Sequence, residues 1–186
     1  AISGCDNFYN AFTKVYESRY VSGVVAGMKI AELVNEDKIP ATGYDADGNV
    51  KVGYVGAYPY AEVVSGYTAF YLGIKSVYDK VAMEVSYTDS WFVPNVVMEV
   101  KYTNSWFDID KEGAAAEALI ANGCVIIGQH ADSTGAPSAV QAAQDSSNTV
   151  AFSVGYNVDM LDVAKTAALT SATNNWTAYY TTLFKA

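Results

Sequence analysis

The 186-residue sequence has very little basic charge: one arginine, Arg19, and ten lysines stand against 20 acidic side chains, leaving a formal charge of −9. Nucleic-acid surfaces neutralise phosphates with clustered Lys and Arg, so no nucleic-acid partner is expected. There is one histidine, His130, and the two cysteines, Cys5 and Cys124, lie far apart with no CxxC spacing. That is too few ligands for a zinc site, and no metal or cofactor is expected. The cysteines are read as two buried thiols, with a Cys5–Cys124 disulfide as the open alternative. No apolar run reaches the roughly 20 residues of a membrane span. The opening Ala1-Ile2-Ser3-Gly4-Cys5 has no basic or apolar leader pattern, so no signal peptide is expected within it. GxGxxG, GxxxxGK[ST] and GxSxG are all absent, which argues against a dinucleotide loop, a P-loop and a hydrolase elbow. Asp45-Ala46-Asp47-Gly48-Asn49 superficially resembles a calcium loop, but Gly56 stands where the twelfth-position Glu is needed, so a turn is expected.

What is present describes a folded chain, 51% hydrophobic and 17% charged. Phe8, Phe12, Val15, Tyr16, Tyr20, Val24, Met28 and Ile30 recur at helical spacing, predicting one amphipathic helix over Asn7 to Asn35. Gly23 and Gly27 would let a neighbouring backbone approach it closely. Ile39 to Asn49 reads as a polar loop. Strands are predicted over Val50–Val55, Met83–Thr88, Val96–Thr103, Cys124–Gly128, Thr149–Val154 and Ala167–Thr170. Helices are predicted over Tyr60–Val77, Ile109–Asn122, Pro137–Gln144 and Asn174–Phe184. This alternation predicts an α/β fold, a doubly wound parallel sheet with helices on both faces. In such sheets ligands meet the loops leaving the carboxyl ends of the strands. Here those loops are 56–60, 104–108, 129–133, 155–159 and 171–176, and they are rich in aromatic and uncharged polar groups.

Residues 83–92, MEVSYTDSWF, and 98–107, MEVKYTNSWF, share eight of ten positions at an offset of 15. A single repeat of that period is no solenoid, and a local tandem duplication is the simplest account. Only the second copy runs directly into a helix, so the site role goes to Trp106, with Trp91 expected in an inserted strand or hairpin. Trp106 reads as a stacking platform for a flat ligand or as core, and Phe107 reads as core. His130 could work with Asp132 or Asp159 as an acid or base, or serve as a neutral hydrogen-bonder, the reading favoured for lack of a nucleophile or metal cluster. Asn157, Asp159 and Asn174 stand at successive strand ends, where helix capping competes with ligand binding. Arg19 is expected in an ion pair with Glu17 or a more distant carboxylate.

The strings YESRYVSGVVAGMK, KVGYVGAYPYAEVVSGYTAFYLG, SWFDIDKEGAAAEALIANGC, GQHADSTGAP and VGYNVDM, followed by ALTSATNNWTAYY, resemble the basic membrane protein family of ABC-transporter substrate-binding lipoproteins. That group includes bacterial purine nucleoside receptors. The resemblance implies one lobe of a type I periplasmic binding protein, with the ligand clamped between two lobes and the closed form delivered to permease subunits. It implies a non-enzymatic protein working outside the cytoplasmic membrane, periplasmic or lipid-anchored. It places Trp106 where family members stack an aromatic on a purine base, with Tyr58, Gln129, His130 and Asp132 lining the same cleft. Asn157 and Asn174 stand where nucleoside-binding members carry Asp and Lys, which leaves a free nucleobase or another flat polar molecule open. Asp159, Asn175 and Trp176 match a branch of the family with the same departure. Against the family pattern, 1–49 is expected to lead from the hinge, 50–170 to form the ligand-binding lobe and 171–186 to be hinge-proximal, with the amino-terminal lobe lying outside the chain. Half a cleft should bind weakly or not at all. The competing readings are a small-molecule sensor domain of the same fold and a flavodoxin-like α/β enzyme.

Overall fold

The computed structural model describes residues 11–86 and 95–185. Five strands, β1 (Val50–Gly56), β2 (Val96–Tyr102), β3 (Ile126–His130), β4 (Phe152–Asn157) and β5 (Ala168–Thr173), form one sheet in the order β2-β1-β3-β4-β5. Every neighbouring pair is parallel. The helices are α1 (Val15–Asn35), α2 (Ala61–Ser86), α3 (Ile109–Ala121), α4 (Gly135–Ser147) and α5 (Trp176–Leu183), with a 3-10 turn at Ala41–Gly43. Residues of α1 and α2 close one face of the sheet over Val50, Val52, Tyr54, Ile126 and Val154. Those of α3 and α4 close the other over Val55 and Ile127. This is the expected doubly wound sheet. Full burial of side chains such as Phe70, Ile74 and Leu119 contributes about 1.5–3 kcal/mol each.

Several expectations change. The first helix begins at Val15 rather than at the expected Asn7: Ala11–Lys14 are not helical, and Thr13 Oγ1 donates to Asn174 Oδ1 at 2.7 Å. Residues 7–10 lie outside the described residues. Its buried face carries Arg19, Ser22, Gly23, Ala26 and Gly27, while Phe12, Tyr16, Tyr20 and Met28 are exposed. The helix buries its small residues because α2 packs against it almost backbone to backbone. A Cβ on Gly23 would collide with the Phe70 carbonyl.

Met83–Ser86, expected to open a strand, forms the last turn of α2. The rest of that segment, Trp91 included, lies outside the described residues. β3, β4 and β5 start one to three residues later than expected, so Gln129, His130 and Asn157 close strands rather than open loops. The acidic loop is a turn: Asp45 Oδ1 accepts from the Asp47 and Asn49 amides at 3.0 and 2.8 Å. Cys124 is a buried free thiol, its pKa pushed up to about 12 by burial, and Cys5 lies outside the described residues.

Candidate ligand-binding site

The chain leaves β1 for β2 on one side and returns to β3 on the other, so the strand order reverses between β1 and β3. The carboxyl ends of two such neighbours diverge into a crevice, the usual ligand position in open α/β sheets. Here the Ala57 amide donates to the His130 carbonyl at 3.2 Å, closing the crevice floor.

An aromatic wall rises from it. Tyr58 and Tyr60 stack with centroids 5.1 Å apart and planes 12° from parallel. Trp106 meets Tyr58 at 5.7 Å and Tyr60 at 6.2 Å, both tilted. Local chemistry aims it. The Thr103 amide donates to the Gly56 carbonyl at 2.9 Å, Asn104 turns the chain at φ +55°, and the Asp132 amide donates to the Trp106 carbonyl at 2.7 Å. Asp108 then caps α3 by accepting from the Lys111 amide at 3.0 Å. Phe107, expected in the core, is 64% exposed because this turn projects it away from the sheet.

Strand alternation puts Tyr54, His130 and Tyr156 on the α1–α2 face beneath the wall. His130 is fully buried, with its ring 4.5 Å from that of Tyr156. Burial and the nearby Arg19 charge push its pKa down to about 3, so it is neutral at ordinary pH. Among the described residues its carboxylate neighbour is Glu62, Nε2 to Oε1 3.7 Å, and not the Asp132 or Asp159 of the acid–base alternative.

Arg19 is also fully buried. Its guanidinium lies 4.1 Å from the Tyr156 ring centroid and donates through Nη1 to the Gly155 carbonyl at 3.4 Å. Of the two expected kinds of partner, Glu17 is not one, since it lies 3.8 Å from Lys14 on the exposed side of the helix, and the more distant Glu62 and Asp132 act on Arg19 through their charge. Burial lowers the Arg19 pKa, opposed by the charges of Glu62 and Asp132. Those two carboxyls are pushed up chiefly by desolvation, Glu62 also by the charge of Asp132, while Arg19 pulls both down.

The remaining predicted residues divide. Asn157, at φ +69°, accepts through Oδ1 from Asn174 Nδ2 at 3.3 Å. Its amide also helps hold the Asp132 pKa down, so these two asparagines border the polar floor. Gln129 points to the α3–α4 face, where Nε2 donates to the Ala131 and Ser133 carbonyls at 2.9 Å each. Asp159 accepts from the Leu161 amide at 3.0 Å, a local cap. Trp176 sits on α5 against Tyr179 and Tyr180, 38% exposed. The structure thus brings Tyr58, Trp106, Asp132, Asn157 and Asn174 to one rim, with the fully buried His130 beneath it. It adds Tyr60, from the expected 56–60 loop, and Glu62 and Arg19, which no motif marks. The one available signal was the singularity of an arginine among small residues on a helix.

Residues 92–185 match the model of a family described as "ABC transporter substrate-binding protein PnrA-like". A purine-binding protein of Brucella abortus is 36% identical over 172 residues, 92% of this chain and 38% of that protein. A Haloferax volcanii protein described as an ABC-transporter glucose-binding protein is 32% identical over 175 residues, 94% of this chain and 35% of that one. The crystal structure of an ABC-transporter solute-binding protein from Aeropyrum pernix K1 aligns with a TM-score of 0.56 at 18% identity, covering 78% of this chain and 34% of that one. At that identity the likeness is one of fold. The chain spans little more than a third of the length of the curated relatives it matches.

Proposed function

The chain belongs to the PnrA-like family of ABC-transporter substrate-binding proteins, and on that premise we propose that it forms one wall of a cleft that takes up a flat purine-type ligand, nucleobase or nucleoside. One observation carries this reading: three aromatic rings, Tyr58, Tyr60 and Trp106, gather at the strand-order reversal above a buried polar floor. A ring system with a π face gains stacking energy from such a wall, and its polar edge meets the carboxylates and amides beside it. The Brucella relative, named for purine binding, agrees with this.

The neutral amides Asn157 and Asn174 offer less to a ribose diol than a carboxylate and an ammonium would, which favours a nucleobase. In this reading residues 50–170 supply the lobe, and 1–49 and 171–186 lead to and from the hinge. A second lobe of the full-length protein closes over the ligand, and the closed form docks on permease subunits outside the cytoplasmic membrane. The role is delivery, with no bond made or broken. Among the described residues no helix is long and apolar enough to cross a membrane.

A hexose is the second reading, favoured by the Haloferax relative named for glucose binding. An aromatic wall also packs against the apolar face of a pyranose.

Thermal shift of the full-length protein separates the two. A ligand at 100 times its Kd stabilises the native state by about 2.7 kcal/mol. Purines should raise Tm and glucose should not, and Trp106→Ala should remove the shift. A rise with glucose alone would overturn the purine assignment. The isolated chain, carrying half a cleft, should show little or no shift.

A further inference from the structure

We propose that Glu62 reads the ligand's hydrogen-bond donors, accepting together with Asp132 from N–H groups on the pyrimidine edge of a purine stacked at the Trp106 wall. The inference rests on the purine reading above and adds the chemistry of the edge that the cleft selects.

Position comes first. Glu62 is the second residue of α2, two residues after Tyr60, so the turn that builds the wall also delivers this carboxylate beside it. Asp132 arrives from the opposite side, with its amide bonded to the Trp106 carbonyl at 2.7 Å. The two carboxylates are near enough for the Asp132 charge to act on Glu62. The Glu62 side chain is 37% exposed, open to a ligand rather than sealed in the core.

Unused hydrogen-bonding capacity comes second. The fully buried His130 leaves both ring nitrogens unpartnered, with Nε2 aimed at Glu62 Oε1 but 3.7 Å away, beyond hydrogen-bond range. The fully buried Arg19 leaves Nε and Nη2 unpartnered. Buried groups normally find partners, so several orphans gathered under one rim mark a place where polar chemistry is completed by something else.

Charge comes third. Facing this corner are Glu62 and Asp132 as acids, Arg19 as the cation, and the neutral His130, Tyr54 and Tyr156. Lys111, which lies near Tyr58, is already paired with Asp108 at 2.9 Å. With both carboxyls ionised, one positive charge lies beneath two negative ones, so the corner attracts N–H donors. Arg19 keeps the carboxyls closer to ionisation than desolvation alone would allow. A carboxylate facing two adjacent donors can accept both at once, and charge-assisted bonds of that kind are roughly twice as strong as neutral ones.

Guanine carries two such donors on that edge, hypoxanthine one, and unsubstituted purine none. The test is ligand titration by tryptophan fluorescence of the full-length protein with these three bases, in wild type, Glu62→Gln and Trp106→Ala, with a melting curve for each variant. Affinity should fall in the order guanine, hypoxanthine, purine. Glu62→Gln keeps the side-chain volume and should weaken guanine at least tenfold while leaving purine within twofold; Glu62→Asp, which keeps the charge, should recover part of the loss. If Glu62→Gln weakens all three bases equally, or none, the edge-reading role is wrong while the purine reading stands. If wild type binds no purine, the purine reading itself fails and this inference falls with it.

Discussion

The two faces of the sheet treat buried polar groups in opposite ways. On the α3–α4 face, Gln129 spends its amide on two carbonyls, and Glu112 Oε1 accepts from the Asp108 and Ser133 amides at 3.2 Å each, leaving Glu112 Oε2 and Ser153 Oγ as the exceptions. On the α1–α2 face, Arg19, His130 and Tyr54 all carry buried polar atoms without a partner. An unmade buried hydrogen bond costs about 1–3 kcal/mol, so a fold seldom keeps several together without return. The satisfied groups are scaffold: Gln129 and Glu112 pin the 131–133 turn that presents Asp132 and supports Trp106. The unsatisfied ones lie beneath the aromatic wall, where a ligand would sit. On the proposed reading, the same sheet is scaffold on one side and supports recognition on the other.

Single glycines give the largest expected effects, and each helix pair has one pressed against a neighbouring backbone, Gly73 on the α1–α2 side and Gly135, whose Cβ would collide with the Ile109 carbonyl, on the other. A Cβ on Gly73, in α2, would collide with the Tyr20 carbonyl of α1, and neither backbone can move without opening the core. On the other face a Cβ on Gly113 would find its nearest neighbour, the Gly135 carbonyl, at an ordinary 3.7 Å. Gly73→Ala should therefore destabilise by about 3 kcal/mol, the upper end of overpacking costs. Gly113→Ala should instead stabilise by about 0.5–1 kcal/mol through helix propensity. Urea unfolding of both variants checks this, and equal effects would mean that the close approach of α1 and α2 sets no limit on side-chain size at Gly73. Gln129→Leu comes next: it removes the donor from two carbonyls and should cost about 2 kcal/mol. If Gln129→Leu leaves the unfolding midpoint unchanged, the scaffold role assigned to that face is wrong.

How much of this the sequence disclosed depends on what each residue had to signal. β1 and β2 were legible nearly to the residue, since β-branched runs there are bounded by polar turns. β3 and β4 start later than expected because the buried apolar residues Val125 and Ala151 extend the apolar run ahead of each strand, and β5, at the sheet edge, shifts by one residue. The duplicated Met-Glu-Val shows the limit most directly. Residues 83–85 are helical and 98–100 are strand, so the same letters follow their surroundings. In α1 the large aromatics suggested the wrong buried face, because close packing prefers the small residues. Tyr58, Trp106, His130 and Asp132 could be located because strand ends order them along the chain. Arg19 and Glu62 reach the same corner from helices, through tertiary packing that spacing does not encode.

Acid sharpens the comparison through His130. Its folded pKa of about 3 lies below the ordinary 6.5, so between those values the unfolded chain binds the extra proton. Stability from this group is therefore complete above pH 6.5 and falls by about 1.4 kcal/mol per unit as pH drops toward 3. Glu62, Asp132 and Glu112, with raised pKa values, act in the opposite sense as they protonate. The His130 share is isolated by comparing urea unfolding of wild type and His130→Gln from pH 7 to 5. A matching slope in both proteins would contradict a buried, neutral His130.

Arg19 should give the smallest effect on stability and a clear one on binding. Its guanidinium has lost its water, keeps one long hydrogen bond and lies against Tyr156. The cation–π contact offsets part of the desolvation cost, and Glu62 and Asp132, both half-buried and in reach of solvent, are not left as uncompensated buried charges when Arg19 is removed. Arg19→Met should therefore change unfolding free energy by less than about 1 kcal/mol. The same substitution removes the positive charge under Glu62 and Asp132, so the two carboxyls will hold protons to higher pH and accept less strongly. Ligand affinity should fall in the full-length protein and recover as pH is raised. A variant that loses several kcal/mol of stability but binds normally would make Arg19 a structural group, and the α1–α2 face would then be scaffold like the other.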